Sequence, residues 1–187
     1  MHAAHEIIIA GFGGQGVLSM GQIIAYAAMR EGKEVSWMPS YGPEMRGGTA
    51  NCIVIVSQSR ISSPIVSQFD SAILLNQPSI DKFVDHVKPG GILLFEQSNV
   101  ITPPSRTDVE NLGIDAQEEA LKLEKKQVAN MIMLGAFLER RPIVLPENVL
   151  KVLRDVLPER HHHLLPLNEQ ALLRGKQLAL EMSHASV

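Results

Sequence analysis

Six residues, Gly11-Phe12-Gly13-Gly14-Gln15-Gly16, constrain the fold of this chain more than any others. A short β-branched run, residues 6–10, precedes them and reads as a buried strand. Residues 17–30 follow with Val17, Ile24 and Ala28 at helical spacing, and Gly32 stops that helix. Residues 34–38 read as a second strand. Strand, glycine turn, helix, strand is the opening of a parallel α/β sheet. Gly11, Gly13 and Gly16 match G-x-G-x-x-G in that setting. Glycine permits backbone angles that a side chain forbids, and a helix N-terminus offers free N–H groups to an anion. Gly14 bares the turn further, and Gln15 brings a neutral side chain able to donate and accept.

The expected architecture is α/β, a Rossmann-like, mostly parallel sheet with a partly antiparallel hairpin edge and a helical C-terminal third. All 187 residues read as a single domain. The hairpin is expected between residues 50–57 and 61–66 across Gln58-Ser59-Arg60. Residues 70–75 and 92–96 read as strands. Between them residues 79–87 read as a helix closed by Lys88-Pro89-Gly90-Gly91. After a polar stretch with Pro103 and Pro104, three helical segments follow. They cover residues 116–139, broken near Lys125-Lys126, residues 146–157, and residues 168–183 with Asn168 as N-cap.

The glycine turn alone leaves several functions open. A dinucleotide site needs an acidic residue at the end of the second strand, to take the ribose hydroxyls. Here that strand ends Ser36-Trp37-Met38-Pro39, and Glu34 stands at the wrong end. Val17-Leu18 follows Gly16 where a phosphate-binding ATPase has lysine and serine or threonine. The glycines could equally serve only to close a tight turn. A stand-alone nucleotide-binding module or dehydrogenase is the alternative these residues keep alive.

Ser40-Tyr41-Gly42-Pro43-Glu44-Met45-Arg46-Gly47-Gly48-Thr49 is the second unusual stretch. A loop after strand two should leave the same sheet edge as the glycine turn. Arg46 could clamp a phosphate or carboxylate bidentately. It could instead pair with Glu44, two residues away on the same side of an extended segment, and stiffen the loop. The candidate binding residues are therefore Gly11, Gly13, Gly14, Gln15, Gly16, Tyr41, Glu44, Arg46, Gly47 and Gly48. No catalytic set emerges: there is no G-x-S-x-G elbow, no H-E-x-x-H and no metal-ligand cluster. His161-His162-His163 are adjacent, so they cannot all face one ion, and a surface or capping role is expected. Cys52, the single cysteine, sits in an apolar run and reads as a buried inert thiol.

Composition narrows the partners. The net charge is −3 with no basic block, which argues against nucleic acid. No apolar run approaches the ~20 residues needed to span a bilayer, and no signal peptide opens the chain, so a cytoplasmic place is expected.

The two loops in order resemble the gamma subunit of the 2-oxoacid:ferredoxin oxidoreductases, most like the 2-oxoglutarate (KorC-type) branch, with the 2-oxoisovalerate branch near it. Ser62-Ser63-Pro64, Leu75-Asn76-Gln77-Pro78-Ser79 and Ala129-Asn130-Met131-Ile132-Met133-Leu134-Gly135-Ala136 extend the resemblance over nearly the whole chain. The resemblance implies an enzyme of several subunits that decarboxylates a 2-oxoacid oxidatively on thiamine diphosphate. Iron–sulfur clusters then carry electrons to ferredoxin, and coenzyme A takes the acyl group. One cysteine cannot ligate a cluster, and the thiamine diphosphate motif is missing here. The resemblance therefore puts those cofactors on alpha and beta subunits and a ferredoxin-like delta subunit. This chain would be inactive alone, structural, with coenzyme A the one ligand it could face.

Overall fold

A computed structural model describes residues 4–41 and 49–184. Its six strands are β1 His5–Phe12, β2 Glu34–Tyr41, β3 Thr49–Ser57, β4 Phe69–Leu74, β5 Val87–Glu96 and β6 Glu110–Ile114. The helices are α1 Val17–Arg30, α2 Gln77–Phe83, α3 Ala116–Lys122, α4 Ala129–Arg140, α5 Pro146–Val156 and α6 Leu165–His184. The strands form one sheet in the order β2-β3-β1-β4-β5-β6. Strands β1, β4, β5 and β6 run parallel, as strand–helix crossovers require. Strand β3 runs against both β1 and β2.

The antiparallel edge is present, but its partners differ from the expected hairpin. Strand β3 pairs with β1 and β2, and residues 61–66 form no strand. The physical reason lies in Ser62-Ser63-Pro64. Proline cannot donate to a ladder, and Ile65 beyond it is 85% exposed, so the segment has no inward face. Three other expectations shift. Helix α2 ends at Phe83 in a 3-10 turn, Val84–His86, and Lys88-Pro89-Gly90-Gly91 falls within β5. Helix α6 starts at Leu165, so Asn168 is not its cap but donates from Nδ2 to the Leu164 carbonyl. Strand β6 was not foreseen, because Glu110-Asn111-Leu112-Gly113-Ile114 carries only two large apolar residues. Both point inward and are buried.

Alternation along the strands divides the core between two faces. Ile7, Ile9, Val54, Ile73 and Leu94 face the larger layer, with Met20 and Ile24 of α1 and Ile132 and Phe137 of α4. Ile8, Leu74, Leu93 and Phe95 face a thinner layer around Ile80 of α2. Helix α4 is buried throughout residues 131–138. It can approach α6 so closely because Gly135 and Gly175 lack side chains. A Cβ at Gly135 would overlap the Leu172 carbonyl, and one at Gly175 the Ile132 carbonyl.

Strand direction decides what meets at the top of the sheet. Strands β1, β4 and β5 all end at one edge. Because β3 runs antiparallel to both β1 and β2, β2 ends there too: Tyr41 lies opposite Ala50, and Ala50 opposite Gly11. The loop after β2 thus departs beside the glycine turn. Its residues 42–48, which include the candidates Glu44, Arg46, Gly47 and Gly48, lie outside the described residues.

Candidate functional site

The glycine turn has the geometry its sequence requires. Gly14 and Gly16 adopt φ of 90° and 80°, in the left-handed region that favours glycine. Gly16 is the N-cap of α1, without a side-chain cap and with no acidic residue in the first turn. The Met20 N–H already donates to the Gly16 carbonyl, at 2.9 Å. Gly11 is tightly enclosed: a Cβ there would lie 2.7 Å from Gln15 Oε1 and 2.9 Å from Leu75 Cβ. Gly13 and Gly14 are exposed, and nothing crowds Gly14.

Gln15 does not present itself to a ligand. Its Oε1 accepts from the Phe12 N–H at 2.6 Å and from Asn76 Nδ2 at 3.5 Å. Its Nε2 donates to the Leu75 carbonyl at 3.2 Å. The side chain therefore clamps the turn to the end of β4. Asn76, itself buried, caps α2 by accepting from the Ser79 N–H at 2.9 Å.

Glu96 is the residue that sequence reasoning missed. It ends β5, is 2% exposed, and lines the same cleft as Gly14 and Gly16. Its carboxylate accepts from Ser98 Oγ at 2.9 Å, the Asn99 N–H at 3.0 Å and the Gln117 N–H at 3.2 Å. A buried carboxylate survives on such donors. Here they tie the turn after β5 to the first turn of α3. The signal was legible in principle: serine and asparagine two and three residues after a carboxylate are a local capping pattern.

These elements bound a cleft of about 460 Å³. The glycine turn and Ser19 form one side. Gln117 and Leu121 of α3, then Lys126 and Gln127, then Asn130 and Met133 of α4 form the other. The volume is in the range of small-molecule sites, and amides with one lysine dominate its polar lining. Around it the edge is apolar and exposed at Phe12, Tyr41, Leu121 and Ile101, with Tyr41 74% exposed. Of the candidates, Gly11, Gly13, Gly14, Gln15, Gly16 and Tyr41 thus share one edge, and Gly14, Gln15 and Gly16 line its cleft.

Redox and metal chemistry have no support in these side chains. Cys52 is fully buried, its thiol is pushed up to about 12 by burial, and Sγ donates to the Val17 carbonyl at 3.6 Å. Among the described residues no group of three His, Cys, Asp or Glu could hold a metal ion. His162 and His163 bond to the Leu157 and Arg160 carbonyls, both at 2.9 Å, within a 3-10 turn. No helix among the described residues is long and apolar enough to cross a membrane.

Comparison with known proteins gives this edge a context. Residues 6–178 match the family model described as pyruvate ferredoxin/flavodoxin oxidoreductase. Subunit KorC of 2-oxoglutarate synthase from Methanocaldococcus jannaschii is 35% identical over 182 residues, 95% of each chain. Ketoisovalerate oxidoreductase subunit VorA from Methanothermobacter thermautotrophicus is 48% identical over 133 residues, 71% of this chain. The match spans only 28% of that relative's length. The 2-oxoglutarate:ferredoxin oxidoreductase from Magnetococcus marinus, with 2-oxoglutarate, coenzyme A and succinyl-CoA bound, superposes with a TM-score of 0.87 at 27% identity. It aligns with 95% of this chain and 31% of the longer one. The chain therefore belongs to the pyruvate ferredoxin/flavodoxin oxidoreductase family.

Proposed function

We propose that the chain is the gamma subunit of a multisubunit 2-oxoacid:ferredoxin oxidoreductase and acts on 2-oxoglutarate as part of that assembly. In the assembled reaction the 2-oxoacid loses its carboxylate as CO₂, two electrons pass to ferredoxin, and coenzyme A takes the acyl group. The chain is one gamma-type domain over residues 1–187, in the cytoplasm with its alpha, beta and ferredoxin-like delta partners. A KorC relative matched end to end supports 2-oxoglutarate. The higher identity to VorA over a shorter stretch favours 2-oxoisovalerate as the second reading. Assay of the complex with both acids separates them.

The observation that carries this reading is a polar cleft beside the glycine turn, on a chain without residues for the redox cofactors. A lone buried cysteine does not fit an iron–sulfur cluster. Nor do the described side chains offer a metal-binding set for the thiamine diphosphate magnesium. The cleft does fit part of coenzyme A: bare backbone at Gly14 and Gly16, amides, and Lys126 for a phosphate. Glu44, Arg46, Gly47 and Gly48 follow Tyr41 in the sequence, and Arg46 is the proposed phosphate clamp.

Arg46→Ala in the assembled complex tests this. It should raise the KM for coenzyme A about tenfold, the loss of a charge-assisted hydrogen bond of ~1.5 kcal/mol, with the KM for the 2-oxoacid unchanged. An unchanged coenzyme A requirement would leave Arg46 a loop or interface residue.

A further inference from the structure

We propose that Asn130 is a ligand-contacting residue, presenting its side-chain amide to an oxygen acceptor of coenzyme A beside Gly16. This rests on the preceding reading of the cleft. Asn130 is the second residue of α4 and reaches the glycine turn from 114 positions further along the chain. Its amide fills the place that a Cβ on Gly16 would take. Glycine at 16 is therefore required twice, by its φ of 80° and by Asn130.

The chemistry of the neighbours leaves two half-buried amides, Gln117 and Asn130, and of these only Asn130 packs against Gly16. Gln15 and Glu96 spend their polar atoms on the protein. Ser19, Lys126 and Gln127 stand exposed on the rim. Asn130 is half-buried on the cleft wall, and its side chain makes no hydrogen bond among the described residues. The amide is accessible from the cleft and its donors are not committed to the protein. Local structure does not require it either. Val128 is the N-cap of α4, with no side-chain cap bond, and alanine would serve the helix better than asparagine. What remains is a group with two donors and one acceptor aimed at the space beside exposed turn amides.

The test uses the assembled complex, with coenzyme A titrated calorimetrically in the absence of 2-oxoacid and KM and kcat measured in steady state. Asn130→Ala should raise both Kd and KM for coenzyme A about tenfold while kcat stays within about twofold, and its melting temperature should not fall. Asn130→Asp, equal in shape but unable to donate, should bind no better than Asn130→Ala. Gly16→Ala should displace the amide and also strain the turn, so it should raise Kd and KM at least as much as Asn130→Ala. Unchanged Kd and KM in Asn130→Ala would overturn the proposal. Ser19→Trp, placed to fill the cleft from an exposed helix position, then identifies what failed. If it alone blocks coenzyme A, Asn130 merely packs; if it too has no effect, the coenzyme A reading falls with the proposal.

Discussion

Individual side chains here hold the turns that build the upper edge of the sheet. Glu124 is the one non-glycine residue with positive φ among those described, at 60°. It follows α3, where its N–H donates to the Leu121 carbonyl at 2.9 Å and the Lys125 N–H to the Ala120 carbonyl at 3.1 Å. That pair of bonds is a Schellman cap, whose left-handed position favours glycine. Glu124→Gly should therefore stabilise the chain by ~1 kcal/mol, read as a higher denaturant midpoint at constant slope. At the opposite edge, burial pushes the His5 pKa below its ordinary 6.5, outweighing the attraction of Asp70. Its Nε2 pairs with Ser71 Oγ at 2.8 Å. The unfolded chain then takes up this proton first. Stability from His5 is complete above pH about 6.5 and declines as pH falls from there toward the lower folded value. His5→Gln should flatten that part of the stability–pH curve, measured by urea melts between pH about 5 and 7.5. At this scale the sequence spoke for the glycines, whose φ values are local. It pointed to Gln15 but not to its role as a clamp, which depends on Leu75 and Asn76 far along the chain, and it marked Glu96 only through the local Ser98 and Asn99.

Among the elements, the α4–α6 contact holds the largest packing demand. Gly135 and Gly175 let two backbones touch where a methyl group would strike a carbonyl. Gly135→Ala should cost about 3 kcal/mol in a denaturant melt, because both helices would have to separate. A merely surface glycine would instead gain from the better helix propensity of alanine. The small and apolar run at residues 129–137 was readable as a packing surface, but not its partner, which lies about forty residues away. Helix α1 was legible to both ends because apolar spacing and Gly32 agreed. The break near Lys125-Lys126 was also readable, and it separates α3 from α4. Strand β6 was not, since two inward residues give too short an alternation. The misplaced hairpin has a related cause: β3 is apolar enough to pair anywhere, and its true partners β1 and β2 precede it.

At the scale of the whole molecule, a sheet with five strands in one direction and one reversed gathers two distant loops and a cleft at one edge. Exposed Phe12 and Tyr41 end strands at the same sheet edge as that cleft, and exposed Leu121 lines it. Exposed apolar residues beside a polar cleft suit a site that a neighbouring subunit completes. The account holds that this chain serves a larger enzyme and performs no redox step alone. The direct test is 2-oxoglutarate- and coenzyme A-dependent reduction of ferredoxin, measured for the purified chain, for the partner subunits without it, and for all subunits together. The account predicts activity only when all are present. Ferredoxin reduction by the isolated chain, or full activity of the partners without it, would contradict it.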